Sequence, residues 1–269
     1  MKDILVVKIS DLHSGGTTAL FPDKFWQFQH TNHTPTTTQM ELFAHFEKCA
    51  RHVSVLRRGK SLIVVHNGDA VDGDHHGSLQ VVTRQKNDQI DIHVWLMRRF
   101  LELCKFSEKK GDKIYYTAGT EIHTNDCENI IGEKMGAQMD GDLYAFDELH
   151  LDVNGKNIWF AHKGPSAGKG ANQGNSLYNF IRDLWIDCQG NLTPPDVAVF
   201  SHVHTPRYRV FSRVVNGKIE KMEGWILPSW QLKTRFAHSV AAMQKNSIGM
   251  AYFEVTKDGD IVNQNFEIL

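Results

Sequence analysis

Five apolar runs along the chain each end against an acidic or histidine residue. Residues 4–10 meet Asp11-Leu12-His13, and residues 62–68 meet Asp69, with Asp72 three positions further on. Residues 113–118 lead into Gly119-Thr120-Glu121-Ile122-His123, residues 158–161 into His162, and residues 197–201 into His202-Val203-His204. Short continuous runs rich in β-branched and aromatic residues predict strands buried on both faces. Side chains just past the carboxyl ends of such strands gather along one edge of a sheet, where open α/β folds bind ligands. The pattern therefore predicts a metal site at that edge.

Between the runs the apolar spacing turns helical. Thr38 with Glu41 fits a capping box, and Leu42, Phe43, Phe46, Cys49, Ala50, Val53 and Leu56 continue that helix until Gly59. Ile90, Val94, Met97, Leu101 and Cys104 form the inner stripe of a helix over 87–106, and further helices are predicted near 127–138 and over 175–188. Asn154-Gly155 and Asn216-Gly217 mark hairpin turns, the second between strands 208–215 and 218–226, and a last hairpin turns around Lys257-Asp258-Gly259. The order β-α-β-α-β-α, followed by a β-rich remainder, predicts an α/β protein: one domain, 1–269, of two packed sheets. Residues 14–37, which carry Phe21, Phe25, Trp26 and Phe28, are too long for a simple connection and are expected to act as a lid or an assembly contact. The glycine-rich stretch 164–174, with Lys163 before it and Lys169 within it, reads as a solvated loop.

Composition narrows the class. The 269 residues, 41% hydrophobic and 23% charged, suit a soluble globular protein. A net charge of −1 gives no global attraction to nucleic acid or anionic membranes, although a local basic patch remains compatible with it. Four widely spaced cysteines without a C-x-x-C pair predict free thiols in a reducing compartment. Met1-Lys2-Asp3 runs straight into a strand, and no stretch approaches a membrane span, so a cytoplasmic protein is expected. The unusual number is fifteen histidines.

Asp and His ligands without Cys suit Mn, Fe or Zn better than a thiolate-seeking ion. Asp11 with His13, and His202 with His204, are pairs two apart at strand ends, so both members of each can turn toward one ion. Asp69 follows Gly68, which allows close backbone approach, and its carboxylate can bridge two ions. Asp72 is placed to orient a ligand histidine through a hydrogen bond. These positions exceed what one ion needs, and a pair of ions favours in-line attack on phosphorus. His30, His33, His45, His52, His93, His150 and His238 lack strand-end context, and His75 and His76 read as exposed loop residues.

Asp11-x-His13, Gly68-Asp69-x-x-Asp72, His162 and His202-x-His204 stand in an order and spacing similar to the calcineurin-like metallophosphoesterases. The resemblance implies two mixed sheets flanked by helices. It also implies Asp11, His13, Asp69 and His204 on a first ion, and Asp69, His162 and His202 on a second. The chain departs from the family at its usual Gly-Asn-His-Glu/Asp block, where Gly119-Thr120-Glu121-Ile122-His123 stands instead. Thr120 takes the place of the ligand Asn, so the second ion is expected to bind through Glu121, through His123, or less tightly. His123, displaced by two positions, is the candidate general acid, oriented by Asp72. Ser201 replaces the glycine usual before the paired histidines. The G-T-x-x-H block, His75-His76 and Pro228-Ser229-Trp230 resemble a branch often encoded by bacteriophages and prophages.

The expected reaction is hydrolysis of a phosphate ester by a hydroxide activated by two divalent ions, Mn²⁺ foremost, with Fe or Zn as alternatives. The substrate is a phosphate monoester or diester. A nuclease is the first rival, with the aromatic residues of 21–28 as a base-stacking platform, although near-neutral charge disfavours nucleic acid. A non-catalytic binding scaffold of the same architecture is the second. No membrane partner or oligomeric state is read from the sequence.

Overall fold

The computed structural model describes residues 2–28, 32–74, 80–121, 123, 126–188, 193–235 and 246–269. In chain order the first half forms β1 (Ile4–Ile9), β2 (Trp26–Gln27), β3 (Asn32–His33), α1 (Thr37–Leu56), β4 (Ser61–Asn67), α2 (Lys86–Leu103), β5 (Lys113–Thr117) and α3 (Cys127–Met135). The second half forms β6 (Ala145–Phe146), β7 (Glu148–Val153), β8 (Lys156–Ala161), α4 (Asn175–Asp187), β9 (Val197–Phe200), β10 (Arg207–Val215), β11 (Lys218–Ile226), β12 (Gly249–Val255) and β13 (Ile261–Ile268). The first large sheet has the order β13-β12-β1-β4-β5-β6 and the second β10-β11-β9-β8-β7, while β2 and β3 pair apart as a two-stranded sheet. In the first, β1, β4, β5 and β6 run parallel while β12 and β13 are antiparallel. In the second, β8, β9 and β11 are parallel, with antiparallel β7 and β10 at the edges. Both large sheets are mixed, and helices flank them.

Alternation explains why the parallel strands read as continuous apolar runs. Leu5, Val7 and Ile9 of β1 pack with Leu62 and Val64 of β4 against α1 and α2. The intervening Val6, Ile63 and Val65 pack against Phe160, Val197 and Val199 of the other sheet. In that sheet Ala161, Ala198 and Phe200 turn the opposite way, onto Leu177, Ile181 and Trp185 of α4. Each central strand therefore buries both faces, giving helix, sheet, sheet and helix layers. The edge strand β7 buries Leu149, Leu151 and Val153 and leaves Glu148, His150 and Asp152 outside, and it alternates in sequence accordingly.

Lys8 breaks the apolar rule. Its Nζ lies in the layer between the sheets, 3.3 Å from the Trp225 ring centroid and 4.4 Å from that of Phe253, with no hydrogen-bond partner. Burial pushes its pKa well below 10.5, against the pull of Glu223. A desolvated cation–π contact returns about 2 kcal/mol, whereas removing an ammonium from water costs several. Lys8→Met is therefore expected to stabilise the fold by about 1–3 kcal/mol, read from urea unfolding at neutral pH.

Some boundaries differ from the sequence expectation. The first helix begins two residues early because Thr36, not Thr38, is the cap: its hydroxyl accepts from the Gln39 N–H at 3.2 Å, and Gln39 Oε1 accepts from the Thr36 N–H at 3.1 Å. Gln39 is buried and also meets His33 Nε2 at 2.8 Å, a tertiary contact that selects this register. Helix α2 stops at Leu103 because Lys105 turns left-handed, and α3 stops where Gly136 does. Residues 14–37 do not form a detached flap over their described part. Ser14, Gly16 and Ala19 bridge to Val71, Val81 and Gln231, Phe21 and Phe28 are core residues, and Trp26 stands edge-on to Trp95 at 5.9 Å. Phe25 alone among those aromatics is well exposed, and Phe21 and Phe28 are too buried to stack on a base. All four cysteines are free. No described helix is long and apolar enough to cross a membrane.

Candidate metal centre

The carboxyl ends of β1 and β4 continue as two zipped loops: Asp11 N–H donates to Gly68 O at 3.1 Å, His13 N–H to Asp69 O at 3.1 Å, and Ser14 N–H to Ala70 O at 3.0 Å. The second sheet joins through Asn67, whose side-chain amide donates to Ala161 O at 3.1 Å and whose Oδ1 accepts from Thr117 Oγ1 at 2.9 Å. Among the described residues ten non-glycines have a left-handed φ, and five of these are Asp11, His13, Asp69, His202 and His204. Such conformations cost on the order of 1 kcal/mol or more each and cluster where function requires them.

Three groups of close donor atoms result: Asp11, His13 and His204; Asp69, His162 and His202; and His13, Asp69 and His123. In the first, His204 Nε2 is 3.0 Å from Asp11 Oδ1 and 3.2 Å from His13 Nε2. Asp69 Oδ2 lies between this group and the second, 3.9 Å from His13 Nε2, 3.0 Å from His162 Nε2 and 3.8 Å from His202 Nδ1. Asp69 Oδ1 accepts from the Thr120 N–H at 2.7 Å. Asp11, His13, Asp69 and His162 are buried, whereas His202 is 42% exposed at its side chain.

The donor set fits divalent cations. Asp11, Asp69 and Asp72 are buried carboxylates whose ion-pair partners among the described residues are all histidines, with no Lys or Arg. Uncompensated buried charge is costly, so either protons or metal ions must balance it. Without metal the protons do so. Burial opposes ionisation of Asp11, but His204 beside it brings its pKa down to about 2. Burial likewise opposes protonation of His162, but the Asp69 carboxylate outweighs it and holds the imidazole at about 9. His13 is raised in the same way: burial resists, and Asp72 and Asp69 prevail.

The surrounding side chains fix the ring orientations. His162 Nδ1 donates to Asn67 O at 2.8 Å, which directs Nε2 inward. His13 Nδ1 lies 3.4 Å from Asp72 Oδ1, and Gln231 Nε2 donates to that same oxygen at 2.8 Å. The Asn246 amide meets His204 Nδ1 at 3.1 Å and Gln231 O at 3.2 Å. Asp72 thus uses its carboxylate on His13. Its backbone carbonyl, not its side chain, accepts from His123 Nδ1 at 2.8 Å, which corrects the expected Asp72–His123 pairing.

Glu121 is not brought in: it is exposed and belongs to none of the donor groups. The bond from Thr120 N–H to Asp69 turns residue 120 toward the cluster instead, with Oγ1 3.3 Å from both His162 Nε2 and His202 Nδ1. His30, His75, His76 and His238 lie outside the described residues. Gln231 and Asn246 carry no signal as site residues in the sequence, whereas Thr120 is marked there only as the residue at the ligand Asn position. His66 and His93 are a further surprise, wholly buried behind Asp69 with ring centroids 4.7 Å apart. Burial brings His93 down to about 3, so it stays neutral while its Nδ1 meets Ala70 O at 3.0 Å.

Gly68, at φ 81°, has His162 so close that an added Cβ would fall on its ring. Gly68→Ala is expected to destabilise the protein by roughly 2–5 kcal/mol, from the left-handed backbone and the clash together, and to lower metal content. Thermal melts and elemental analysis of the purified variant check both.

No protein-family model and no curated protein sequence matches the chain. Among solved structures it is similar to Vps29 from Entamoeba histolytica complexed with zinc, at 12% identity over 98% of this chain and 99% of that one, TM-score 0.39. It is also similar to vacuolar protein sorting 29 from Cryptosporidium parvum (12% identity, 100% and 99% covered, TM-score 0.41). A third likeness is to 5′-nucleotidase from Candida albicans (11% identity, 96% and 49% covered, TM-score 0.37). At such identities and scores the likenesses carry nothing about activity; the fold rests on its own sheet topology.

Proposed function

We propose that the chain is a metallophosphoesterase of the calcineurin-like type, hydrolysing phosphate esters with two divalent ions at the carboxyl ends of β1, β4, β8 and β9. The observation that supports this reading is Asp69 Oδ2, which has His13 on one side and His162 and His202 on the other. Asp11, His13, Asp69 and His204 would hold the first ion, and Asp69, His162 and His202 the second, with the Thr120 hydroxyl beside it. Bound there, the ions would polarise a phosphoryl oxygen and supply a nucleophilic water near neutral pH. Manganese is the proposed occupant, with iron or zinc as alternatives. The same reading takes residues 1–269 as one cytoplasmic domain of the phage-type branch.

The chain's own contribution is orientation and proton transfer. Asp72 and Gln231 set the His13 ring, and Asn67 sets His162. His123, tethered through Nδ1 to Asp72 O, would present Nε2–H to the leaving oxygen. His123→Ala is expected to keep both ions and lose about 10²-fold or more on alkyl phosphates, with little loss on p-nitrophenyl phosphate. Equal loss on both would argue against the acid role, and loss of an ion would make His123 a ligand, which its place beside His13 and Asp69 permits.

Elemental analysis of protein purified with Mn²⁺, with assays on p-nitrophenyl phosphate, its bis ester and single- and double-stranded DNA, tests the whole reading. Two ions per chain with turnover of an ester supports it, and DNA cleavage alone makes the protein a nuclease. Two ions without turnover leaves a binding scaffold, and the absence of metal overturns the proposal.

A further inference from the structure

The chain holds 30 Lys and Arg against 31 Asp and Glu, yet seven of the basic residues gather at one place. Where α1 ends and β4 and β5 begin, at the sheet edge opposite the metal centre, lies a hollow of about 550 Å³ whose lining includes seven basic residues and no carboxylate. Two of the seven are already neutralised and build its floor. Arg57 is buried and pairs with Asp112 at 2.7 and 2.9 Å, while also donating to Lys105 O at 2.8 Å. Asp112 in turn accepts from the Leu62 N–H at 2.9 Å and the Ser107 N–H at 2.7 Å, tying three segments into one rigid base. Lys60 reaches Leu56 O at 2.8 Å and Glu254 at 3.1 Å.

The other five, Lys2, Arg58, Lys105, Lys109 and Lys110, are exposed, and none has an ion-pair partner among the described residues. Of the nearby carboxylates, Asp3 is engaged elsewhere, its Oδ1 accepting from the Lys257 N–H at 2.8 Å. Lys105 is also held out at φ 60°, a conformation bulky side chains rarely adopt.

We propose that this hollow binds the phosphate backbone of double-stranded nucleic acid, at a site separate from the metal centre. Five unpaired cations drawn from the N-terminus, the α1–β4 turn and the α2–β5 connection suit a polymer with repeated charge, since a lone phosphate engages only a few converging donors. The lining has no aromatic side chain on which a single strand could stack its bases, so duplex is favoured. A bilayer is the poorer match: the surface is concave, and Val55 is the one strongly exposed apolar residue in this part of α1. The contacts are to phosphates alone and read no sequence. The seven residues of β4 put roughly 20 Å between hollow and metal centre, so the hollow tethers a duplex and does not present it for hydrolysis. The inference therefore stands apart from the phosphoesterase reading.

Fluorescence anisotropy with a labelled duplex, on metal-free protein in chelator, tests it. Wild type is expected to bind at about 50 mM salt with a slope of log K against log salt of about −4.5, as about five neutralised phosphates require. Lys105→Glu/Lys109→Glu/Lys110→Glu is expected to weaken binding about 100-fold or more and flatten the slope by about 3, while each single Lys→Gln change flattens it by about 1. Asp69→Asn should leave binding unchanged. Wild type that ignores the duplex, a triple variant that binds as wild type does, or wild type that binds phosphatidylserine vesicles in preference to the duplex would each overturn the proposal. Hydrolysis of p-nitrophenyl phosphate is unaffected by any of these outcomes, so the two readings fail separately.

Discussion

Asp69→Asn is expected to reduce bound metal from the proposed two ions per chain to one or none and to lower kcat/KM of the proposed phosphate-ester hydrolysis by about 10³-fold or more, since the ions would supply several kcal/mol of charge stabilisation. The reasoning follows from position. Asp69 and His13 each belong to two of the three donor groups, and Asp69 is the carboxylate of the two, its Oδ2 lying near the imidazoles of His13, His162 and His202. Asparagine keeps the shape and the Oδ1 acceptor for the Thr120 N–H at 2.7 Å, so the loop should retain its course. What it removes is the negative charge and the second anionic oxygen. Asp11→Asn, by contrast, touches one donor group and should weaken one ion selectively. A variant with two ions and full activity at Asp69→Asn would exclude a shared carboxylate at this position.

The candidate ligands were legible because each follows a strand that its neighbours bury on both faces. Val6 and Val7, Val64 and Val65, or Val197 to Phe200 can only be consecutive apolar residues if layers cover both sides, and the next residues then fall on a common edge. Gln231 and Asn246 were not legible for the opposite reason. Their roles come from contacts across more than forty positions of chain, such as Gln231 Nε2 to Asp72 Oδ1, and amide side chains leave no periodic trace. The first helix shows the same limit at smaller scale. The sequence points to Thr38 with Glu41 as the cap, and the buried Gln39, held by His33, selects Thr36 instead. The basic hollow was hidden too, because residues from three stretches of the chain meet there while the overall charge stays near zero.

Raising pH from about 6.5 to 9 is expected to tighten divalent-ion binding by about 100-fold or more while weakening the metal-free fold. His162 would bind an ion through the Nε2 that its proton occupies, and Asp69 holds that proton until about pH 9 despite the opposing effect of burial. Each pH unit below that value therefore costs about tenfold in affinity per proton displaced. His13, also raised, adds a second proton to the exchange. For the metal-free protein the sign is reversed. A folded pKa of about 9 against 6.5 unfolded gives stability fully present below pH 6.5 and lost as pH rises through 9, on the order of 3 kcal/mol. Melting temperature in chelator should thus fall across this window, whereas the increment added by Mn²⁺ should grow. Calorimetric titration of Mn²⁺ at pH 7 in two buffers of different ionisation heat should register about one proton or more released per chain. Affinity independent of pH, with no proton released, would show that the ions do not use these imidazoles, because the buried carboxylates leave them no other route to charge balance.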